Sequence, residues 1–565
     1  MRSFSSNILI AIALAIILTT APVVAFEPVA GRRGMVASSE PHASEVGVEV
    51  LRAGGNAVDA AVAVGFALAV THPYAGNLGG GGFMLVRMAS GDATFIDYRE
   101  EAPGAATRDL YLDGAGNPIP DASLVGGMAS GVPGTVAGLA LAELKYGRLG
   151  LKRVMEPAIH LAADGFEVSY ALAQSLRHAS DKLSKFDESR RIFLRGGRYY
   201  EPGDTFRQPE LADTLSEIAR QGQGAFYRGP VARELVATME KTHGLITLAD
   251  LDHYRARLRP PLVGHFRGYT IVSAPPPSSG GVALVEMLNI LEPLDLGPPD
   301  SYGSMHLMIE AMRRAYADRA AYLGDSDFAA VPVAGLTSKP YAAKLRQEIL
   351  ASKPDAPVRA GEPAPYESSA TTHYSVVDAD GNAVANTYTL NDGYGSGVTV
   401  EGAGFLLNDE MDDFAAKPGT PNLYGLIQGE ANSIQPRKRP LSSMTPTLVL
   451  ADGVAGRPAL RLVLGSPGGG TIINTVLEVL LNALVFHLDV RQAVTEPRFH
   501  HQWEPDVLVL EKAISEDTIN RLRSSGYQTK TVDAMGDCEA IEVDPATGWR
   551  FGASDPRGDG RAVGY

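Results

Sequence analysis

Only one of the 565 residues is a cysteine, so no intrachain disulfide can form. Cys538 lies in Asp537-Cys538-Glu539, where flanking carboxylates disfavour a thiolate, and a structural role suits it better than a nucleophilic one. No Cys/His group has zinc-ligand spacing, and His500-His501 stands alone. Positive charge is also scarce. Lys and Arg number 50 against 65 Asp and Glu, for a formal net charge of −15 and a sequence pI of about 5.3. That balance argues against nucleic acid or an anionic membrane as the main partner. Apolar runs of membrane-spanning length are missing too. The stretch Ile8 to Thr19 is too short to span, and no stop-transfer pattern follows it. With Arg2 before it and small residues at Val23 and Ala25, residues 1–25 read as a signal peptide cut after Ala25. The mature chain is expected in the periplasm or outside the cell, with no membrane anchor.

What is present is ordinary globular composition: 45% apolar and 20% charged residues, enough for a large core. From Glu40 to about Leu350 the pattern is mainly helical. Pro41 opens one helix, and Asn56 caps a nearly uncharged run, Ala57 to Val70, that should be buried. Phe83 to Met88 and Ala93 to Tyr98 read as strands, with Arg99 where the second ends. Further helices are expected at Thr135–Tyr146, Leu151–Asp164, Pro209–Gln221, Val231–Thr242 and Met305–Leu323. Pro354, Pro357, Pro363 and Pro365 rule out regular helix and mark an exposed tether. Directly after it, Thr372–Val377 and Ala383–Leu390 form a hairpin across Asp378-Ala379-Asp380-Gly381. Strand signals recur at Thr447–Leu450 and Leu460–Leu464, and a helix begins near Gly469. The organisation is thus a helix-rich part, a tether, and a sheet-rich part beginning at a threonine.

A hydroxyl at the start of a strand, behind a tether, has the makings of a self-processing nucleophile. A free threonine hydroxyl is weak and needs a base. Breaking the bond before Thr371 would create an α-amine on the same residue, titrating near ~8 and able to take that proton. Attack of the same hydroxyl on the Ala370 carbonyl would give an ester that water hydrolyses. Thr372 carries an equivalent hydroxyl, and on composition alone Thr371 is one strand threonine among many. Thr389 falls on the returning strand, where its hydroxyl could orient the nucleophile or simply tie two strands. Gly468 and Gly469 precede a helix, and their N–H groups could converge on an oxyanion. A phosphate loop is the rival, but Gly465 to Gly470 lacks the Lys-Ser/Thr ending.

The text Thr371-Thr372-His373-Tyr374-Ser375-Val376-Val377-Asp378, with Asn382-Ala383-Val384 after it, resembles the processing-site motif of the γ-glutamyltransferase family. The resemblance extends through Gly55-Asn56-Ala57-Val58-Asp59, Leu78-Gly79-Gly80-Gly81-Gly82-Phe83 and Asp97-Tyr98-Arg99-Glu100. It continues in Met411-Asp412-Asp413-Phe414, Pro440-Leu441-Ser442-Ser443-Met444, Gly465-Ser466-Pro467-Gly468-Gly469 and Ala553-Ser554-Asp555-Pro556-Arg557. It implies an α+β N-terminal-nucleophile hydrolase fold, a four-layer αββα sandwich. It implies a large chain, residues 26–370, and a small chain, residues 371–565, intertwined as a heterodimer. It selects Thr371 as nucleophile, assisted by Thr389, Gly468 and Gly469.

For a γ-glutamyl donor, the resemblance assigns Arg99, Ser442 and Ser443 to the α-carboxylate and Asp413, Glu410 and Asn391 to the α-ammonium. An arginine fork suits the first and carboxylates suit the second. Residues 417–432 resemble a lid loop that Tyr424 closes. No metal or organic cofactor is implied. The expected partners are a γ-glutamyl donor such as glutathione or glutamine, then water or the amine of an amino acid or peptide. Two rivals stand beside this: a glutaryl or cephalosporin acylase of the same fold, which Asp413 disfavours, and a secreted binding protein without activity.

Overall fold

Successive strand side chains point to opposite faces, and in this chain both faces are apolar. Met35, Ala37, Phe83, Leu85, Val377 and Ala385 face one way, while Val36, Met84, Val86, Val376 and Val384 face the other. Such strands need cover on two sides. The computed structural model describes residues 27–353, 356–360, 372–427, 429–451 and 458–565. It joins these strands in a seven-stranded antiparallel sheet ordered Arg561–Gly564, Met35–Ser38, Thr372–Val377, Ala383–Thr389, Gly81–Arg87, Ala93–Tyr98, Arg257–Arg259. A second is ordered Val29–Gly31, Arg550–Ser554, Glu539–Val543, Ala459–Gly465, Thr447–Ala451, Tyr269–Ser273, Leu262–Phe266.

Val272, Leu448, Val463 and Ile541 of the second sheet meet the first sheet's Phe83 and Leu85 in one shared core. Ile271, Val449, Leu462, Leu464 and Ala540 face outward onto the helices Gly280–Leu291, Tyr302–Tyr322 and Ile472–Leu484. The outer face of the first sheet is covered by Pro41–Arg52, Ala57–Thr71 and Thr135–Tyr146. This is the expected αββα sandwich.

Residues on both sides of position 371 build each sheet: four strands before it and three after in the first, three and four in the second. The expected contrast still holds among the described residues: fifteen α-helices and nine strands precede position 371, and three α-helices and ten strands follow it. Three-residue strands such as Val29–Gly31 and Arg257–Arg259 are too short to show a period of two. Helix Ala57–Thr71 is buried all round, and a capping box closes its start. Asn56 Oδ1 accepts from the N–H groups of Val58 and Asp59, and Asp59 Oδ2 accepts from Asn56.

Three sequence expectations fall outside the described residues: the leader, the end of the tether, and the Ala370–Thr371 bond with Thr371 itself. Among the described residues, no helix is long and apolar enough to cross a membrane.

Candidate active site

The hairpin Thr372–Val377 and Ala383–Thr389 fixes one corner of the site. Its turn is built by Asp378, whose Oδ1 accepts from the N–H groups of Asp380 and Asn382, with Gly381 at φ 87°. Register then follows: Val377 opposes Ala383 and Thr372 opposes Tyr388. Thr389 lies one residue beyond the last described pair and opposes Gly81, while Gly82 opposes Tyr98. The start of the first hairpin strand, Thr389 and Arg99 consequently share one edge of the sheet.

Close packing of glycines holds that edge. A Cβ on Gly80 would lie 2.0 Å from the Thr389 carbonyl oxygen and 2.8 Å from Asn77 Oδ1. Asn77 Nδ2 in turn donates to the Thr389 carbonyl at 2.8 Å. Gly80→Ala is therefore expected to push the Thr389 strand outward, lowering Tm by several degrees and slowing chain cleavage at least tenfold in a time course on denaturing gels.

The second sheet supplies the opposite wall. His373, buried and held neutral by a pKa pushed down to about 3 by burial, packs on Gly465 and bonds Thr387 Oγ1 at 2.8 Å and Ser375 Oγ at 3.1 Å. Gly465 ends its strand there, and the chain turns through Gly468 (φ 131°) and Gly469 (φ 64°) into Ile472–Leu484. A 3-10 turn at Gly469–Thr471 precedes the α-helix, where the sequence suggested helix from Gly469.

Arg99 is fully buried, and its guanidinium bonds Glu410 Oε1 through Nη1 and Asp413 Oδ2 through Nη2. Its Nε and Nη2 also donate to the carbonyls of Pro440 and Leu441, each at 3.1 Å. Those carbonyls sit beside Ser442 and Ser443. Ser442 Oγ accepts from the Met444 N–H at 3.1 Å, and Ser443 Oγ accepts from Arg319. Glu410 to Asp413 form a single 3-10 turn, which brings both acids to one guanidinium. Asn391 takes φ 79°, its N–H donating to Thr389 Oγ1 at 2.8 Å and its Nδ2 to the Asp409 carbonyl at 3.1 Å. A non-glycine residue in that region marks a constrained site. Tyr424 reaches the Asn391 carbonyl with its hydroxyl at 3.4 Å.

Charge in this cluster does not balance internally. Burial opposes the charge of Arg99, but Glu410, Asp413 and Glu100 overcome it and push the guanidinium above its ordinary range. Burial, with mutual repulsion, raises the carboxyls of Glu100 and Asp413 well above theirs, and burial also raises Glu410. Glu410 Oε2 and Asn391 Oδ1 are buried and meet no donor among the described residues. One cation thus faces three acids and four buried acceptors without donors among the described residues, the two oxygens of Glu100 making up the count. The site is short of a donor-rich cationic group.

The gamma-glutamyltranspeptidase family matches this sequence over residues 43–565. The chain belongs to that family. It is similar to the glutathione hydrolase proenzyme of Escherichia coli (strain K12), with 51% identity over 549 residues, 96% of this chain and 93% of the relative. The structure resembles cephalosporin acylase from Bacillus halodurans, with TM-score 0.86 and 27% identity over 97% of this chain and 98% of that one. It also resembles Helicobacter pylori gamma-glutamyltranspeptidase, with TM-score 0.55 and 45% identity over 58% of this chain and 94% of that one. These neighbours are N-terminal-nucleophile hydrolases, so the fold class expected from the sequence holds.

For a member of this family, the geometry groups the sequence candidates well. Arg99 bonds Glu410 and Asp413 directly and reaches the carbonyls of Pro440 and Leu441, which precede Ser442 and Ser443, while Asn391 links Thr389 to Tyr424. Gly468 and Gly469 stand across from the hairpin on the second sheet. Arg99 does not pair with Glu101, which bonds Arg439 at 2.9 Å. Glu100, the neighbour the sequence offered as a partner, lies 3.6 Å from Arg99 Nη1. One participant was missed in the sequence: Arg319, behind Ser443, gave no signal, because its partner is 124 residues away.

Proposed function

We propose that this chain is a self-processing γ-glutamyltransferase and glutathione hydrolase. The cut falls before Thr371, leaving residues 26–370 and 371–565 as the two chains of one heterodimer in the periplasm or outside the cell. Thr389, at the end of the returning hairpin strand, would orient the nucleophile with its hydroxyl. The Thr371 hydroxyl attacks the γ-amide carbonyl, and the new α-amine takes its proton. The N–H groups of Gly468 and Gly469 receive the oxyanion. The amine part leaves, and the γ-glutamyl ester passes to water or to an acceptor amine.

The observation that carries this reading is the charge imbalance around Arg99. An α-amino acid brings one ammonium and one carboxylate, and both fit by exchange of partners. The ammonium takes Asp413, Glu410 Oε2 and Asn391 Oδ1, while the carboxylate takes the Arg99 fork together with Ser442 and Ser443. Total charge is unchanged, and Glu410 Oε2 and Asn391 Oδ1 gain the donors they lacked. Tyr424 and its loop then shield the acyl-enzyme from water.

Comparing γ-glutamyl with glutaryl anilides tests the assignment, because they differ only in the α-ammonium. The γ-glutamyl compound is expected to show at least about a hundredfold higher kcat/KM, since buried acceptors left unpaired discriminate strongly. Equal rates, or a preference for glutaryl, would make the protein an acylase of the same fold.

A further inference from the structure

Tyr424 sits on a tight turn that its own neighbours make. Asn422 Oδ1 accepts from the Tyr424 N–H at 3.0 Å, the Asn422 N–H donates to the Leu426 carbonyl at 3.1 Å, and Gly425 takes φ 75°. Such a turn fixes its own shape but not its place on the protein. Place comes from contacts outside it. The Leu423 N–H reaches Asp412 Oδ2 at 3.2 Å, and Leu426 is buried in the same core as Ile473 and Leu477. The Tyr424 carbonyl accepts from Gln502 Nε2 at 3.2 Å. Gln502 in turn packs on the glycine turn: a Cβ on Gly470 would lie 2.9 Å from Gln502 Oε1 and 3.3 Å from Leu426.

The two ends of a glutamine amide have nearly the same shape, so its partners decide which way it faces. Three neighbours do so in turn. The His501 carbonyl lies 3.3 Å from Asn474 Nδ2 and accepts from it, which orients the Asn474 amide. The same nitrogen donates to His500 Nδ1 at 2.8 Å, leaving the imidazole proton on Nε2. Nε2 then donates to Gln502 Oε1 at 2.9 Å, which turns Gln502 Nε2 toward the carbonyls of Tyr424 and Glu504, the latter at 3.3 Å. Tyr316 stands edge-on to the His500 ring, with centroids 5.7 Å apart, and its hydroxyl donates to the Gly470 carbonyl. Burial pushes the His500 pKa down to about 4, so the ring is neutral at working pH and keeps this proton pattern. The chain of bonds runs from the helix Ile472–Leu484 to the segment whose Tyr424 hydroxyl reaches the Asn391 carbonyl.

We propose, resting on the γ-glutamyltransferase reading above, that Gln502 is a positioning residue that latches the Tyr424 segment closed over the donor side chains, with His500 setting its amide for that task. Gln502 does not touch the reacting atoms. It acts through the segment, by keeping water from the acyl-enzyme while an acceptor amine attacks.

The test uses the processed enzyme and two substitutions that nearly keep side-chain volume. Gln502→Glu still accepts from His500 but has no N–H for the Tyr424 carbonyl. His500→Phe keeps a ring against Tyr316 and removes the donor that orients Gln502. Limited chymotrypsin digestion with N-terminal sequencing follows cutting after Leu423, which is exposed, or Tyr424. In parallel, γ-glutamyl-p-nitroanilide with glycylglycine gives the ratio of hydrolysis to transfer. Cutting at this segment tracks its open population. Both variants are expected to be cut there about fivefold faster or more, the effect of one lost hydrogen bond on an opening equilibrium, and the hydrolysis-to-transfer ratio should rise by a similar factor. Unchanged cutting in both variants, or cutting scattered along the chain in both, would overturn the latch. Faster local cutting with an unchanged ratio would also overturn it, because the segment would then open without consequence for the acyl-enzyme. A wild type that cleaves no γ-glutamyl anilide, while both variants are still cut faster at this segment, would overturn the activity reading and leave the latch standing.

Discussion

Thr371→Ala is expected to leave a single uncut chain that releases no measurable amine from a γ-glutamyl anilide. Two losses arise from one atom. Without the hydroxyl nothing attacks the Ala370 carbonyl, so no α-amine is freed; without either group there is neither nucleophile nor base for the amide substrate. Loss of a covalent nucleophile elsewhere costs about 10⁴- to 10⁶-fold, so activity should fall to background. Thr371→Ser keeps the oxygen and should cut slowly while retaining part of the activity. If Thr371→Ala is uncut but active, the nucleophile lies elsewhere, and Thr372 is the first alternative.

The second large effect is expected at Arg99. Arg99→Gln leaves Glu410 and Asp413 buried without their cation, and breaking such a pair costs about 3–5 kcal/mol. The same change removes the fork proposed for the α-carboxylate. We expect kcat/KM for the donor to fall about 10²- to 10³-fold, mainly through KM, with a drop in Tm. Arg99→Lys separates the two roles. A lysine restores the charge, and with it much of the Tm, but not the planar fork, so donor KM should stay high. Donor KM within threefold of wild type in Arg99→Gln would place carboxylate recognition elsewhere.

Where one segment carries its own signal, the sequence was informative. Helices Thr135–Tyr146, Leu151–Asp164 and Pro209–Gln221 match the expected bounds, because their ends carry glycine or proline. The helix expected from Met305 instead begins at Tyr302, since Ser301 caps it by accepting from the Ser304 N–H. The helix expected from Val231 takes in Pro230 as its first residue. Strands such as Leu262–Phe266 and Arg550–Ser554 passed unread. They are short, and their apolar residues are set by partners far along the chain.

The candidate site shows the same division. Arg99 was visible as an arginine at a strand end, but its bonds to Glu410 and Asp413 span 311 and 314 positions. No local pattern encodes such a pairing, and only resemblance to a family brought these residues together in advance.

The central claim concerns one bond, and the mass of the purified protein tests it most directly. Under denaturing conditions, mass spectrometry with N-terminal sequencing should find two polypeptides, the smaller starting Thr371-Thr372-His373. A single uncut chain, or a small chain starting at any other residue, would contradict the account.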